Sequence, residues 1–115
     1  MTSCDVAVIG AGPGGYVCAV RAAQLGAKVV VVEREELGGV CLNWGCIPTK
    51  TLIYTAEIYR KLQHAKDLGL KVDGLEVDMK ALIKRKNGVV RRNKGGIDAL
   101  LRSYGIQLVR GDARV

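Results

Sequence analysis

Two cysteines stand five positions apart in GGVCLNWGCIPTK, residues 38–50, and Pro48 and Lys50 follow directly. Thiols at that spacing can clip a loop, ligate a metal or exchange electrons. A bond between Cys41 and Cys46 needs Cα atoms within about 4.4–6.8 Å, whereas five residue steps can extend to roughly 17 Å. The chain between them must fold back, and Asn43 and Gly45 suit that turn. So short a loop removes little unfolded-state entropy, which makes stability a poor reason for the bond. A metal site needs further soft ligands at compatible spacing, and Cys4, Cys18 and His64 do not supply them, so none is expected. Cys18 reads as a small buried hydrophobe and His64 as a surface side chain. Redox exchange makes better sense. Pro48 suits a first helical turn, which puts Cys46 at the positive end of a helix, where thiolate is favoured over thiol. If that helix includes Cys46, Lys50 lies one turn on and adds a second positive charge. Cys41, on the more open loop, is then the thiol that exchanges with a substrate.

Upstream, Gly10, Gly12 and Gly15 form G-x-G-x-x-G within GAGPGG, between an apolar run ending at Ile9 and a helical pattern. The first glycine permits a tight turn, the second lets backbone approach a pyrophosphate, and the third allows close helix–strand packing. Unpaired N–H groups at the helix start favour phosphate. Glu33 lies eighteen positions after Gly15, where a carboxylate can accept hydrogen bonds from an adenosine ribose and repel a 2′-phosphate. The plainer reading, capping glycines with a surface glutamate, is outweighed by the motif's full context. The cofactor is an adenine dinucleotide, and the motif alone does not separate FAD from NAD. Gly38 and Gly39 decide for FAD: they follow the acidic strand end and precede Cys41, so a dinucleotide running that way brings its redox ring to the thiols. A flavin exchanges electrons with a dithiol there more naturally than nicotinamide would.

These residues need a scaffold. The 115-residue chain is long enough for one small domain. DVAVIG, 5–10, and KVVVVE, 28–33, read as strands buried on both faces. Between them Arg21 and Gln24 are the only polar residues from Tyr16 to Leu25 and share one helical face, so the rest of that helix can be buried, with Gly26 as its cap. The result is a right-handed βαβ unit with parallel strands. Helices are expected at about 48–68, with Leu52, Ala56 and Tyr59 facing inward and Gly69 at the end, and at 79–104, weakened at Gly88 and Gly95-Gly96. A third strand follows near 106–110. The fold class is α/β: a doubly wound, Rossmann-like FAD-binding domain with a parallel sheet, incomplete at this length.

The net charge of +7 suggests nucleic acid or a membrane surface, and much of it comes from KRKNGVVRRNK, 84–94. No aromatic interleaves those charges, so a solvated helix face is expected, without nucleic-acid or membrane binding. MTSCDVAVIG has no basic region before its apolar run, which is too short to span a bilayer. A cytoplasmic location, or an organelle matrix after removal of a targeting segment, fits best, and a disulfide there is more often redox-active than structural.

VIGAGPGGYVCAVRAAQLG, VVVVERE and LGGVCLNWGCIPTK together resemble the amino-terminal part of the dihydrolipoamide dehydrogenase family, flavoprotein disulfide reductases of the pyridine nucleotide-disulfide class. The similarity runs on through AEIYRKLQHAKDLGL, VVRRNKGGIDALL and GIQLVRGDARV. It implies that Cys41 is the interchange thiol, that Cys46 faces the flavin as charge-transfer thiol, and that Lys50 lies near the flavin ring. It implies FAD contacts from Gly10, Ala11, Gly12, Pro13, Gly14, Gly15, Glu33, Arg34, Gly38, Gly39, Val40, Cys41 and Lys50, with Ala113 near the adenosine. The implied partners are lipoyl domains and, at full length, a second copy in a homodimer. The implied reaction is oxidation of dihydrolipoamide with reduction of NAD, whose site this stretch lacks, so the segment alone is expected to be inactive. Sister reductases acting on glutathione disulfide or mercuric ion share the frame. Val40 departs from the family's usual threonine, and the missing hydroxyl removes about 1 kcal/mol of cofactor binding.

Overall fold

The computed structural model describes residues 3–115; the first two residues of MTSCDVAVIG lie outside that range. Strand β1, Val6–Ile9, leads through the glycine turn into helix α1, Pro13–Gln24, and strand β2, Val29–Glu33. A five-residue helix α2, Gly39–Asn43, is followed by α3, Cys46–Gln63, and a 3-10 turn at Ala65–Leu68. After an irregular stretch, α4 runs Met79–Ser103 and β3 spans Gln107–Arg110. The three strands form one parallel sheet in the order β1-β2-β3, with Val8 opposite Val31 and Val31 opposite Leu108. Parallel neighbours require crossovers, and α1 and the α2–α4 segment provide them.

The core lies between this sheet and the helices. Ala19 of α1, Val29 and Val31 of β2, Leu37, Leu42 of α2, and Ile97 and Leu101 of α4 are all buried there with Ile106. Central β2 alternates buried and half-buried along its length. Strand β1 does not match its expected burial on both faces. It is a sheet edge, with Val6 and Val8 turned to the core and Ile9 58% exposed. Helix α1 covers one side of it only, and among the described residues no element packs on the other.

The same cause corrects the expectation for α1. Its sequence is apolar nearly all round, yet only Ala19 is buried, and Val17 and Cys18 are exposed. Cys18 is thus not a core residue in this chain. Leu25 caps the helix and Gly26 takes the left-handed backbone that follows.

Helices α3 and α4 pack against each other as an arm. The overall extents are 65 × 26 × 20 Å, and the radius of gyration, 19.8 Å, exceeds the roughly 13 Å of a compact domain this long. Leu52, Thr55, Tyr59 and Leu62 form the half-buried seam of α3, spaced three and four apart as helix packing requires, while Ala56 stands exposed. The expected single helix over 48–68 begins two residues earlier and stops at Gln63. His64 leaves the α-helical conformation, and Gly69 ends the 3-10 turn instead. Helix α4 runs unbroken through Gly88, Gly95 and Gly96, opened by Asp78, whose Oδ1 accepts from the Ala81 N–H at 2.9 Å. Tertiary packing of Ile97 and Leu101 outweighs the roughly 1 kcal/mol each glycine costs a helix.

Candidate functional site

The site grows from the turn after β1. Gly10 takes φ +91°, open mainly to glycine, and its N–H donates to Val32 O at 2.8 Å. A Cβ on Gly15 would stand 1.8 Å from Gly10 O, so only a residue without one lets α1 start this close to β1. Gly14, the second residue of the helix, lies at the surface. The first-turn N–H groups of α1 have no acceptor within their own helix, which is what a pyrophosphate needs.

Ala11 plays a different part from its neighbours. It is fully buried, its N–H donates to Glu33 Oε2 at 2.6 Å, and its carbonyl accepts from Gly38 N–H at 2.8 Å. Both of its backbone groups point into the protein, so Ala11 shapes the turn and offers no donor to a ligand. The second oxygen of Glu33, Oε1, accepts from Glu35 N–H at 2.8 Å. Glu33 is 8% exposed, so it is no surface residue. Its carboxylate ties the glycine turn to the end of β2 with two backbone bonds, and each oxygen keeps a further lone pair.

Glu33, Gly10, Arg34 and Ala113 line one cleft of about 210 Å³, with Gly111 and Asp112. Gly111 and Asp112 were missed in the sequence; the signal was there in a glycine directly after a strand. Gly111 N–H donates to Glu33 O at 3.1 Å, which turns the chain across the mouth of the cleft. Arg34 is exposed and stands 3.8 Å from Glu35.

The second glycine pair meets the first. An ideal Cβ on Gly39 would come within 2.9 Å of Gly12 Cα, and Gly39 has φ +58°. The start of α2 therefore abuts the glycine turn, backbone on backbone. Asn43, expected as a turn former, also acts as a tie: its Nδ2 donates to the carbonyls of Leu37 and Gly39 at 3.0 and 2.9 Å. Val40 is 69% exposed.

A disulfide joins Cys41 in α2 to Cys46, the first residue of α3, with Cα atoms 4.7 Å apart. Gly45 lies 3.0 Å, by its absent Cβ, from Val40 O, and the tight reversal depends on that room. Cys41 is not on an open loop. It sits in a helix and is half-buried, whereas Cys46 is the exposed partner. The cause is α2, a helix that the turn residues alone do not announce. Pro48 is buried in the first turn of α3, and Lys50 is exposed one turn beyond Cys46. A hollow of about 580 Å³ lies at the other end of α3 around exposed His64 and has no part in this constellation.

Does a flavin dinucleotide fit these residues? They do: the cleft at Glu33 has the volume for a ribose-sized group, the first-turn N–H groups of α1 are free of acceptors in their own helix, and glycine backbones line the path to the sulfurs. Among the described residues no group of three or more His, Cys, Asp and Glu could hold a metal ion.

A parallel sheet with a glycine turn clamped by a strand-end glutamate, leading to a disulfide at a helix start, defines a flavoprotein disulfide reductase fold. The chain belongs to the pyridine nucleotide-disulphide oxidoreductase family, whose model matches residues 4–115. Membership in that family implies a flavin. Within it, the chain is 50% identical over 114 residues to dihydrolipoyl dehydrogenase of Thermus scotoductus, covering 99% of this chain and 24% of that protein. The dihydrolipoyl dehydrogenase of Rhizobium etli is 47% identical over 114 residues, covering 98% and 24%. Among solved structures, the Cu(II) complex of HOCl-induced flavoprotein disulfide reductase RclA from Escherichia coli matches all of this chain and 23% of its own, at TM-score 0.79 and 30% identity. The chain thus spans about a quarter of the length of the curated relatives it matches.

Proposed function

We propose that this chain is the amino-terminal, FAD-binding and disulfide-bearing part of a dihydrolipoyl dehydrogenase. The observation that carries the reading is the Cys41–Cys46 bond at the start of α3, in the same short segment that abuts the glycine turn. A structural clip has no use for that placement. Identities of 45–50% to dihydrolipoyl dehydrogenases favour this reading over the glutathione and mercuric reductases.

The chain's own residues supply the first half of the reaction. A thiolate of a dihydrolipoyl group attacks Cys41 Sγ, the Cys41–Cys46 bond breaks, and its electron pair stays on Cys46. The start of α3 stabilises that thiolate, with Lys50 one turn away. The second substrate thiol attacks the mixed disulfide, releases Cys41 as a thiol and leaves oxidised lipoyl. Two electrons and one proton have then passed to the protein: Cys41 carries the proton and Cys46 stays a thiolate, the attacking substrate thiol having lost its own proton before the attack. FAD held beside Cys46 would supply the two-electron acceptor that links this dithiol to NAD. Cys46 is the more exposed residue of the bonded pair, as one that must meet a flavin ring has to be. Glu33 and Ala113 receive the adenosine, the start of α1 the phosphates, and Gly38, Gly39 and Val40 the path between them. The rest of the enzyme would carry the NAD site and the homodimer contacts, and the partners would be lipoyl domains in the cytoplasm. Among the described residues no helix is long and apolar enough to cross a membrane.

The test is Cys46→Ser in the complete flavin-loaded enzyme. Dihydrolipoamide-linked reduction of NAD should vanish, while FAD stays bound. Undiminished turnover would remove the proposed electron route. A comparison of lipoamide with glutathione disulfide as substrate separates the sister reductases.

A further inference from the structure

The net charge of this protein is confined to one element. Helix α4 holds eight lysines and arginines against a single aspartate, Asp98, out of eighteen against eleven in the whole chain. Ten cations and ten carboxylates remain elsewhere, so the net +7 belongs to α4 alone. At about 100° per residue, Lys80, Lys84, Arg91, Lys94 and Arg102 fall within about 80° of arc and along about 33 Å of helix. All but Lys94 are exposed. Lys94 pairs with Glu36 at 3.0 Å and Arg102 with Asp98 at 2.9 Å. Lys80, Lys84 and Arg91 have no ion-pair partner among the described residues. Towards its carboxyl end the stripe walls a shallow cleft of about 480 Å³, and Arg110 of β3 stands in the same cleft.

We infer that this stripe is a docking surface for the acidic face of a protein partner. Like charges lined up along a straight helix repel one another, and a row of carboxylates opposite relieves that repulsion. The stripe is also a mosaic. Asp98 lies on its azimuth and Glu36 beside Lys94, so carboxylates interrupt it. A partner with acids and an occasional cation can match that sequence of signs, whereas the uniform phosphates of a duplex meet two repulsive points. A bilayer is disfavoured for a second reason. Between Lys80 and Arg102 exposed Asn87 completes the arc and no apolar side chain lies within it; Gly95 and Ile83, the latter 39% exposed, flank it on opposite sides. Gly95 has open space where its Cβ would be, so a partner can approach the helix backbone there. The stripe faces away from the Cys41 cleft, which Asn93 and Ile97 line from the other side of α4, so the inference does not rest on the redox reading.

The purified chain is titrated, at about 150 mM salt, with three probes: a coiled-coil peptide with a glutamate-rich face, a duplex DNA, and phosphatidylserine-containing vesicles. The peptide should bind most tightly, and Lys80→Glu/Lys84→Glu/Arg91→Glu should weaken it at least about tenfold. Lys61→Glu/Lys66→Glu/Lys71→Glu makes the same change in net charge off the stripe and should weaken it less than about threefold. If the first variant fails to fold, Lys80→Gln/Lys84→Gln/Arg91→Gln replaces it, with at least about a threefold loss expected. Tighter binding of DNA or vesicles, equal losses in the two variants, or no binding of the peptide would each overturn the inference.

Discussion

The carboxylate of Glu33 accepts a hydrogen bond from the buried N–H of Ala11 at 2.6 Å, across twenty-two residues of chain. This bond joins the end of the second strand to the turn after the first. It sets where the amino terminus of α1 points. The same carboxylate also holds Glu35 N–H, so one side chain orders both loops at the carboxyl ends of the strands. In open α/β sheets that is where nucleotides bind.

Glu33→Gln tests this clamp. The amide can present one oxygen but must turn its NH₂ towards the second N–H, leaving a buried donor unsatisfied. The expected loss is about 1–3 kcal/mol in urea denaturation, with weaker FAD retention by the variant. Unchanged stability would mean that the two loops are held by other contacts.

Gly15 and Gly14 are neighbours with opposite expectations. A methyl group on Gly15 collides with Gly10 backbone, while one on Gly14 meets nothing within 4 Å. Gly15→Ala should lower stability by about 3 kcal/mol or more, because α1 must move off β1. Gly14→Ala lies in an exposed first turn and should be neutral or stabilising by up to about 1 kcal/mol. Thermal unfolding of the two variants side by side decides it.

Gly39→Ala places a Cβ against Gly12 Cα at a positive φ, so α2 must withdraw from the glycine turn. FAD affinity on reconstitution should fall at least about tenfold, or about 1.4 kcal/mol. Val40→Thr should do the reverse. Val40 is largely exposed, so the hydroxyl enters without disturbing packing, and FAD binding should strengthen by about 1 kcal/mol.

Asp78→Ala removes the side-chain cap of α4. A loss of about 1 kcal/mol is expected. Hydrogen exchange should quicken mainly at Ala81 and its neighbours, since the buried anchors Ile97 and Leu101 lie about five and six turns away near the other end.

Much of the fold was legible because its signals are local. β-branched runs around Val8 and Val31, the glycine spacing, and the two cysteines each carry their meaning within a few residues. The misreadings share one origin. Cys18, Val17 and Ile9 are apolar on elements that suggest full burial, and they are exposed because none of the described residues covers those surfaces. Hydrophobic pattern states what a residue tolerates; it does not state what will be placed against it. The split at His64 has no signal in the local pattern, and α4 continues through three glycines where the packing of Ile97 and Leu101 holds it to the core.

The sequence by itself determined the residue chemistry: a glycine turn able to approach phosphates, an acid at the second strand's end, and two thiols close enough to bond. Only the tertiary structure decided what each of these faces. It turned Ala11 inward onto Glu33, pressed Gly39 against Gly12, and put Cys41 in a helix with Cys46 outside it. Covalent order fixes spacing along the chain, whereas the direction of a side chain depends on packing between segments distant in sequence.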